Sequence, residues 1–581
     1  MGNTSSQPHR NRSHASRAPA LRVSLRCSSP SSSTHSIEPW PDTDRLVAEK
    51  GHCRDQSQSP IHRQRSRERV LPRQPASLLA YAPTLRSSVA DENQAYQDFL
   101  RDYPEYRLTW ILDTLRRTDF SRLEQTGETY VDYMGGSLYP ESLIRVHADF
   151  LSSSVLGNTH SISNSSKMSL NYANEARAAV LSFFQASPEY TVIFTANATT
   201  ALKLVGEAYP FIGGSSYVMP VDSHNSVNGI REYASYRGAK CAYIPAMLTG
   251  GLDLEAAKNT LLRFRPRNKD LTPSLFALTA QSNVSNSKSP LSIAEYASSL
   301  GYHVLLDAAA LVPTSSFSLA ENPVDAMAIS FYKMFGFPTG IGALIVKRSF
   351  LAELKRPWFS GGTVDIVQVP GHVVTMSSAL HEQFEDGTIN YLMLPAVVDG
   401  LRFITAYMPF LPLRLSCLLN YLITSLLNLR HDTNGAPLVK ILSKIPSRRL
   451  RSIGTSADTG FLVSFLFFDP SGSIVPNSFV EYTASKQNIS LRTGCVCNPG
   501  GSAALLGLST EMANLYPGVT LEDFESRMGR ELGVVRVSLG LASDFQDVQR
   551  VIRFATSLGN TQIRQTLLDV WCKETLQPHA T

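Results

Sequence analysis

The 581-residue chain has little cysteine and no long apolar run, and each shortage narrows what it can be. Its seven cysteines (Cys27, Cys53, Cys241, Cys417, Cys495, Cys497 and Cys572) are too few and too scattered to staple so long a chain. A disulfide framework is therefore excluded, and a reducing compartment is the default. No secretory apolar region opens the sequence, so the expected location is cytoplasmic. The most apolar stretch, Leu411 to Leu429, is interrupted by Arg414, Ser416, Asn420, Thr424, Ser425 and Asn428. It reads as a buried helix, not a membrane span. Only Cys495 and Cys497 stand close together, and no second Cys or His pair completes a zinc set, so no metal site is expected.

Charge is also unevenly supplied. Residues 1–90 hold 14 Lys/Arg against 6 Asp/Glu, whereas the rest of the chain holds 40 against 43. The basic excess belongs to the tail, which removes the main support for a nucleic-acid partner. The tail is rich in Ser, Arg, Pro, Gln and His, a composition that cannot bury enough apolar surface to offset chain entropy; residues 1–90 read as a disordered basic tail. Its start, Met1-Gly2-Asn3-Thr4-Ser5-Ser6, fits the myristoylation pattern. Arg10, Arg12, Arg17, Arg22 and Arg26 supply a second, electrostatic signal for peripheral membrane contact. A solvated tail and an organelle presequence are the competing readings, since residues 1–37 lack acids.

What is present from about residue 91 is a globular pattern. Short β-rich runs alternate with helical stretches: Tyr190–Phe194 before Ala201–Tyr209, Ser216–Pro220 before Val227–Tyr236, and Leu275–Ala280 before Ile293–Leu300. Runs at His303–Asp307, Ala326–Ser330 and Gly342–Val346 follow. This alternation predicts an α/β fold with a mainly parallel sheet covered on both faces. Beyond about 365 long helices dominate, with strands expected at Gly460–Phe467 and Val534–Leu539, which suggests a smaller α+β domain. The predicted division is 91–130 as an N-terminal segment packing on the small domain, 131–365 as the large domain, 366–565 as the small domain, and 566–581 as a tail.

Chemistry concentrates around Ser330-Phe-Tyr-Lys333, where an apolar strand runs into a Gly-rich turn. A Lys just beyond a buried strand is often only a snorkelling surface residue. Held in an apolar pocket, its amine has a depressed pKa and can condense with an aldehyde. Upstream, Asp307 ends the apolar strand Val304-Leu-Leu-Asp307, at the edge where open α/β sheets bind ligands. A buried carboxylate there needs a cation such as a pyridinium nitrogen, unless it merely caps the next helix.

These features, in this order, resemble the class V aminotransferase superfamily of pyridoxal-phosphate enzymes, a fold type I transferase architecture. Within it they resemble the cysteine-desulfurase-like domain of eukaryotic molybdenum cofactor sulfurases. The resemblance runs from about Tyr130 to Phe554. It is carried by Tyr130-Val-Asp-Tyr-Met-Gly-Gly, Gly157-Asn-Thr-His160, Phe331-Tyr-Lys-Met-Phe-Gly-Phe-Pro-Thr-Gly340, Phe384-Glu-Asp-Gly-Thr388 and Arg492-Thr-Gly-Cys-Val-Cys-Asn-Pro-Gly500.

The resemblance implies a pyridoxal 5'-phosphate site with Lys333 as the covalent anchor and Asp307 facing the pyridine nitrogen. His224 would stack on the ring and Asn283 would bond its hydroxyl; taken alone, they read equally as a loop histidine and a turn residue. Ala198 and Thr199, at a helix N-terminus, and Ser330 would hold the phosphate, and Thr363 would reach the phosphate of a partner subunit, since a homodimer is implied. Arg536 would bind the substrate carboxylate, with a structural salt bridge as the other reading. In desulfurases sharing Arg-x-Gly-x-x-Cys the reactive thiol lies five residues after the Arg. Counting from Arg492 selects Cys497 over Cys495, and Arg492 together with the Asn-Pro-Gly turn would favour its thiolate.

The implied reaction takes L-cysteine to alanine and leaves a persulfide on Cys497. The sulfur acceptor would be molybdenum cofactor or a carrier protein. Three positions depart from the pattern. Asn197 and Asn286 stand where Gly is usual, and both loops are expected to rely on the tolerance of Asn for positive φ. Ala310 stands where the wider superfamily often has Gln. Because the sequence closes soon after the desulfurase-like pattern, the second domain of those sulfurases is not expected in it. Another class V activity (aminotransferase, lyase or epimerase) and a non-catalytic cofactor-binding relative are the alternative readings.

Overall fold

The computed structural model describes residues 89–576 apart from Lys269. The acylation pattern at Gly2 and the basic tail with its proposed membrane contact lie outside the described residues.

The strand–helix alternation builds a seven-stranded sheet in the order Tyr190–Thr195, Gly342–Lys347, Ala326–Ser330, His303–Asp307, Leu275–Thr279, Ser216–Pro220, Lys240–Ile244. Gly342–Lys347 runs antiparallel to both of its neighbours, and the five strands beyond it are mutually parallel. Ala326–Ser330 and Leu275–Thr279 are buried at every position, as a sheet covered on both faces requires. Lys240–Ile244 was not among the strands read from the sequence. It is an edge strand that leaves Lys240 and Tyr243 exposed while burying Ala242 and Ile244. The parallel arrangement brings the strand ends at Pro220, Thr279, Asp307 and Ser330 to one edge, where the functional loops emerge.

The smaller domain holds a four-stranded antiparallel sheet in the order Val439–Ile441, Leu462–Phe467, Val534–Ser538, Arg492–Gly494. Leu411–Asn428 packs on it as a buried helix, and among the described residues no single helix is long and apolar enough to cross a membrane. The segment from Val89 to Asp119 lies on this domain. Phe99 meets Tyr421 and Phe545 with centroids 5.1 and 5.0 Å away, Arg116 reaches Asp547 at 2.7 Å, and Arg414 pairs with Asp113.

Three boundaries differ from those expected. The opening strand Thr129–Tyr130 pairs with Ile489–Ser490, and Asp132 bridges to Ser538, so Val131 and Asp132 join the small-domain sheet and not the large one. The helix Leu394–Tyr407, assigned by sequence to the small domain, packs on Asn164–Phe183 of the large domain through its apolar face. Residues 566–576 are no tail. They continue the helix Thr561–Leu576, which buries Leu567 and sets Trp571 edge-on to Phe479 at 5.6 Å.

The Phe384-Glu-Asp-Gly block is tied to the large sheet by a buried ion pair. Arg177 meets Glu385 through two 2.7 Å bonds, Arg177 also donates to Val192 O, and Phe194 N–H donates to Glu385 Oε1 at 2.7 Å. Glu385→Ala strands both a buried guanidinium and a buried N–H, and should cost about 3–5 kcal/mol in urea unfolding. Glu175→Ala, which breaks only an exposed pair with Arg402, should cost less than about 1 kcal/mol in the same measurement.

Candidate active site

Lys333 is placed by a buried frame. The strand Ala326–Ser330 gives way to a single helical turn, Phe331–Phe335, in which Phe331, Met334 and Phe335 are buried. The turn closes at Gly336, which adopts φ +80 against the backbone of Leu138 and Tyr139, where no Cβ fits. Lys333 thereby enters a cavity lined also by Asp307, His224, Asn283, Ala198, Thr199 and Ser330. Burial pushes its pKa down; Asp307 and Asp132 oppose that shift, while Arg536 and Arg492 add to it.

The helix Ala198–Ala208 presents its N-terminus to this cavity. Asn197 caps it, its Oδ1 accepting from Thr200 N–H at 3.0 Å. Ser330 Oγ accepts from Ala198 N–H at 2.8 Å, and Thr199 Oγ1 lies 2.7 Å from Ser226 Oγ. Three hydroxyls and a helix N-terminus thus converge, the arrangement that holds a phosphate. Ser226 escaped the sequence reading because a lone Ser in a loop carries no signal. The expectation of positive φ at Asn197 is corrected: its φ is −173, ordinary extended backbone, and the close approach is met instead by Gly342, where a Cβ would lie 2.6 Å from the Asn197 backbone. Asn286 does adopt φ +65, and its side chain binds Lys444 O and Leu462 N–H in the small domain.

Asp307 is buried at its strand end, and among the described residues its carboxylate accepts one hydrogen bond, from Ala309 N–H at 3.1 Å. It has no ion pair among the described residues, so a cation is needed beside it. His224 begins a short helix, its Nδ1 accepting from Ser226 N–H at 3.1 Å and lying 2.9 Å from Ser226 Oγ. Burial lowers its pKa, Asp307 acts against that, and Lys333 reinforces it. The imidazole is therefore neutral, with its proton on Nε2.

The two predicted arginines stand opposite each other, Arg492 paired with Arg536 across adjacent strands. Asp132 lies between them. Its Oδ2 accepts from Arg492 Nε and Nη2, each at 2.8 Å, and its Oδ1 accepts from Arg536 Nη2 at 2.7 Å. Arg536 Nη1 donates to Asn283 O at 2.9 Å, and its buried Nε has no partner among the described residues. The guanidinium expected to be open to a substrate carboxylate is thus already held on both Nη groups. Asp132 itself was missed because it sat in what read as an ordinary opening turn.

Asn283 lines the cavity, but its amide is turned to the cysteine loop. Its Nδ2 donates to Val496 O at 2.7 Å, and its Oδ1 accepts from Asn498 at 3.0 Å. Cys497 is exposed beside the cavity, its carbonyl accepting from Asn225 N–H at 2.8 Å, next to His224. Cys495 is more enclosed, and burial raises its thiol pKa. Thr363 does not reach the cavity of its own chain; its hydroxyl is buried against Ser360.

A phosphate cradle, a buried amine of lowered pKa and an unpaired buried carboxylate are a donor set that fits pyridoxal phosphate. Fold and site together resemble those of class V aminotransferase-type proteins. Residues 129–410 match the Aminotransferase class-V family. It is 37% identical over 465 residues to the molybdenum cofactor sulfurase of Bos taurus, covering 76% of this chain and 51% of that protein. With the molybdenum cofactor sulfurase of Solanum lycopersicum it shares 34% identity, covering 79% and 59%. The chain thus spans little more than half the length of these relatives. Among solved structures, its fold is similar to the apo cysteine desulfurase of Thermococcus onnurineus NA1, with TM-score 0.59, 21% identity and coverage of 77% and 97%. Another is a C-DES variant with glycine covalently linked to its pyridoxal-phosphate cofactor, with TM-score 0.54, 17% identity and coverage of 76% and 98%.

The charges around His224 give its titration a definite sign. In the cofactor-free protein the His224 midpoint should lie below the ordinary 6.5. Lys333→Ala should raise it and Asp307→Asn should lower it, as followed by NMR of the imidazole carbon. Opposite movements would show that these neighbours do not set the field at His224.

Proposed function

We propose that the chain is a pyridoxal-phosphate-dependent cysteine desulfurase-like sulfurtransferase, taking L-cysteine to L-alanine and leaving the sulfur on Cys497. The observation that carries this reading is the docking of the Cys497 turn, through Val496 O and Cys497 O, onto the loops that bear Asn283 and His224. A thiol is thereby presented beside a cavity with the donor set of a pyridoxal-phosphate site.

Bound there, pyridoxal phosphate supplies an electron sink for an amino acid attached to it. Thr199, Ser226 and Ser330 would hold the phosphate. Asp307 would keep a proton on the pyridine nitrogen. Neutral His224, protonated on Nε2, would pack against the cofactor as a hydrogen-bond donor, and Lys333 would move the proton at the substrate Cα. Arg536 would orient the substrate carboxylate. The Cys497 thiolate attacks the substrate sulfur. An S–S bond forms, the C–S bond breaks, and the electron pair left on carbon takes a proton to give alanine. The persulfide sulfur then passes to an acceptor, for which molybdenum cofactor or a protein carrying it is our reading, in keeping with the sulfurases this chain resembles. The exposed Trp358, Phe359, Ile366, Val369 and Val373, on and beside the hairpin of Val364–Val367 and Val374–Met376, support a homodimer through this face.

Incubation of the cofactor-loaded protein with L-cysteine tests the proposal. Alanine should form, and mass spectrometry should place one extra sulfur on the Cys497 peptide. Cys497→Ala should keep cofactor absorbance and abolish alanine, whereas Cys495→Ala should keep both. Alanine release unchanged in Cys497→Ala would overturn the assignment. Pyruvate or another keto acid in its place would favour a different class V activity.

A further inference from the structure

Asp222 does nothing in the chemistry above, yet it is the most heavily hydrogen-bonded carboxylate beside the site. It is 2% exposed. Its Oδ2 accepts from Gly251 N–H at 2.7 Å and from Ser285 Oγ at 2.5 Å, and its Oδ1 from Ser282 Oγ at 2.6 Å and from Asn498 Nδ2 at 2.7 Å. Asn498 is fully buried directly after Cys497. Besides Asp222 it bonds Asn283 Oδ1 at 3.0 Å, and its own Oδ1 accepts from Gly501 N–H at 3.0 Å, capping the helix Pro499–Leu506. That helix start is pressed against the loop: a Cβ at Gly500 would overlap Val221 O, and one at Gly501 would overlap Asp222 Oδ1. The run Cys497-Asn-Pro-Gly-Gly501 is therefore fitted to one carboxylate.

The turn so fixed is strained. Val496 and Cys497 adopt φ +47 and +58, a left-handed conformation unfavourable to any side chain and worst for a β-branched one. Such a pair persists only when its surroundings hold it. The turn is closed by Asn498 N–H on Cys495 O at 2.9 Å, and the contacts that hold it against its surroundings include Asn283 Nδ2 on Val496 O, Asn225 N–H on Cys497 O, and Asn498 on Asp222. Only the last is made by a buried side chain of the cysteine loop itself to a charged partner, the stronger kind of hydrogen bond.

We infer that Asp222 and Asn498 form a latch that positions the Cys497 thiol by holding its turn in the strained, docked conformation. Both are positioning residues; neither touches the reacting atoms. The inference rests on the desulfurase reading for its purpose but on geometry for its existence. With the latch in place the thiol stays beside the cavity, and the sulfur acceptor must come to the exposed Cys497.

The test uses the full chain loaded with pyridoxal phosphate. Alkylation of Cys497 by iodoacetamide reports release of the turn without any turnover. Asn498→Ala should change that rate by about tenfold, the effect of losing a charge-assisted hydrogen bond, and should speed amide exchange across 494–498. Alanine formation should fall by roughly 100-fold, while the L-cysteine concentration that half-saturates the change in cofactor absorbance stays within about twofold. Asn498→Asp keeps the helix cap but sets two carboxylates against each other, so it serves if the alanine variant does not fold. Combining Asp222→Asn with Asn498→Asp turns the bond round and should recover most of the loss, which a merely structural defect would not. Alkylation within about twofold of the parent in both single variants would overturn the latch. Absence of alanine from the unsubstituted protein would instead overturn the desulfurase reading, and alkylation would still judge the latch.

Discussion

Arg492 and Arg536 face each other across two adjacent antiparallel strands, and like charges in that register repel. The arrangement holds because Asp132 reaches in from the opening segment and takes one oxygen to each guanidinium. From there the contacts run on without a gap. Arg536 fixes the Asn283 carbonyl, the Asn283 side chain holds Val496 O and Asn498, and Asn498 reaches Asp222. One carboxylate on a segment first read as part of the large domain thus registers the small-domain sheet, the cavity wall and the cysteine turn against each other.

The cavity depends on a second imbalance. Burial disfavours the charged forms of both Lys333 and His224, and the Lys333 cation makes that of His224 costlier, while Asp307 draws both back, joined at Lys333 by Asp132. A neutral amine is nucleophilic toward an aldehyde and a neutral imidazole packs on a ring, so the field would suit both groups to a cofactor bearing its own positive charge at Asp307. A phosphate at the N-terminus of Ala198–Ala208 would be met by the partial charge of that helix end and by three hydroxyls.

Much of this was legible in order along the chain. The buried strands announced themselves as apolar runs, and Asp307, Ser330 and Lys333 stood at their ends, so the sheet and its ligand edge could be read. The edge strand Lys240–Ile244 could not, since half of it faces water. Neither could the helix Leu394–Tyr407 or the last helix through Leu576 be assigned, because an apolar face does not say which domain it will meet. Asp132, Asp222, Ser226 and Asn498 gave no local sign of their roles: each is a polar residue indistinguishable from a solvated one until its partners are known.

By itself, then, the sequence determined the α/β class, the place of the amine and carboxylate at strand ends, and the family pattern that singles out Cys497. The first two follow from local periodicity and spacing, and the last from the resemblance to a known family. Only the tertiary structure decided that Asn197 is a helix cap in extended backbone, that Arg536 and Asn283 are already engaged, and that Thr363 turns away from the cavity. It also decided that the cysteine turn is strained and held. The Arg536, Asn283 and cysteine-turn outcomes depend on hydrogen bonds between groups hundreds of residues apart, which no window along the chain contains; those at Asn197 and Thr363 use neighbours three residues away, Thr200 and Ser360, but only the packing around them decides that these bonds form.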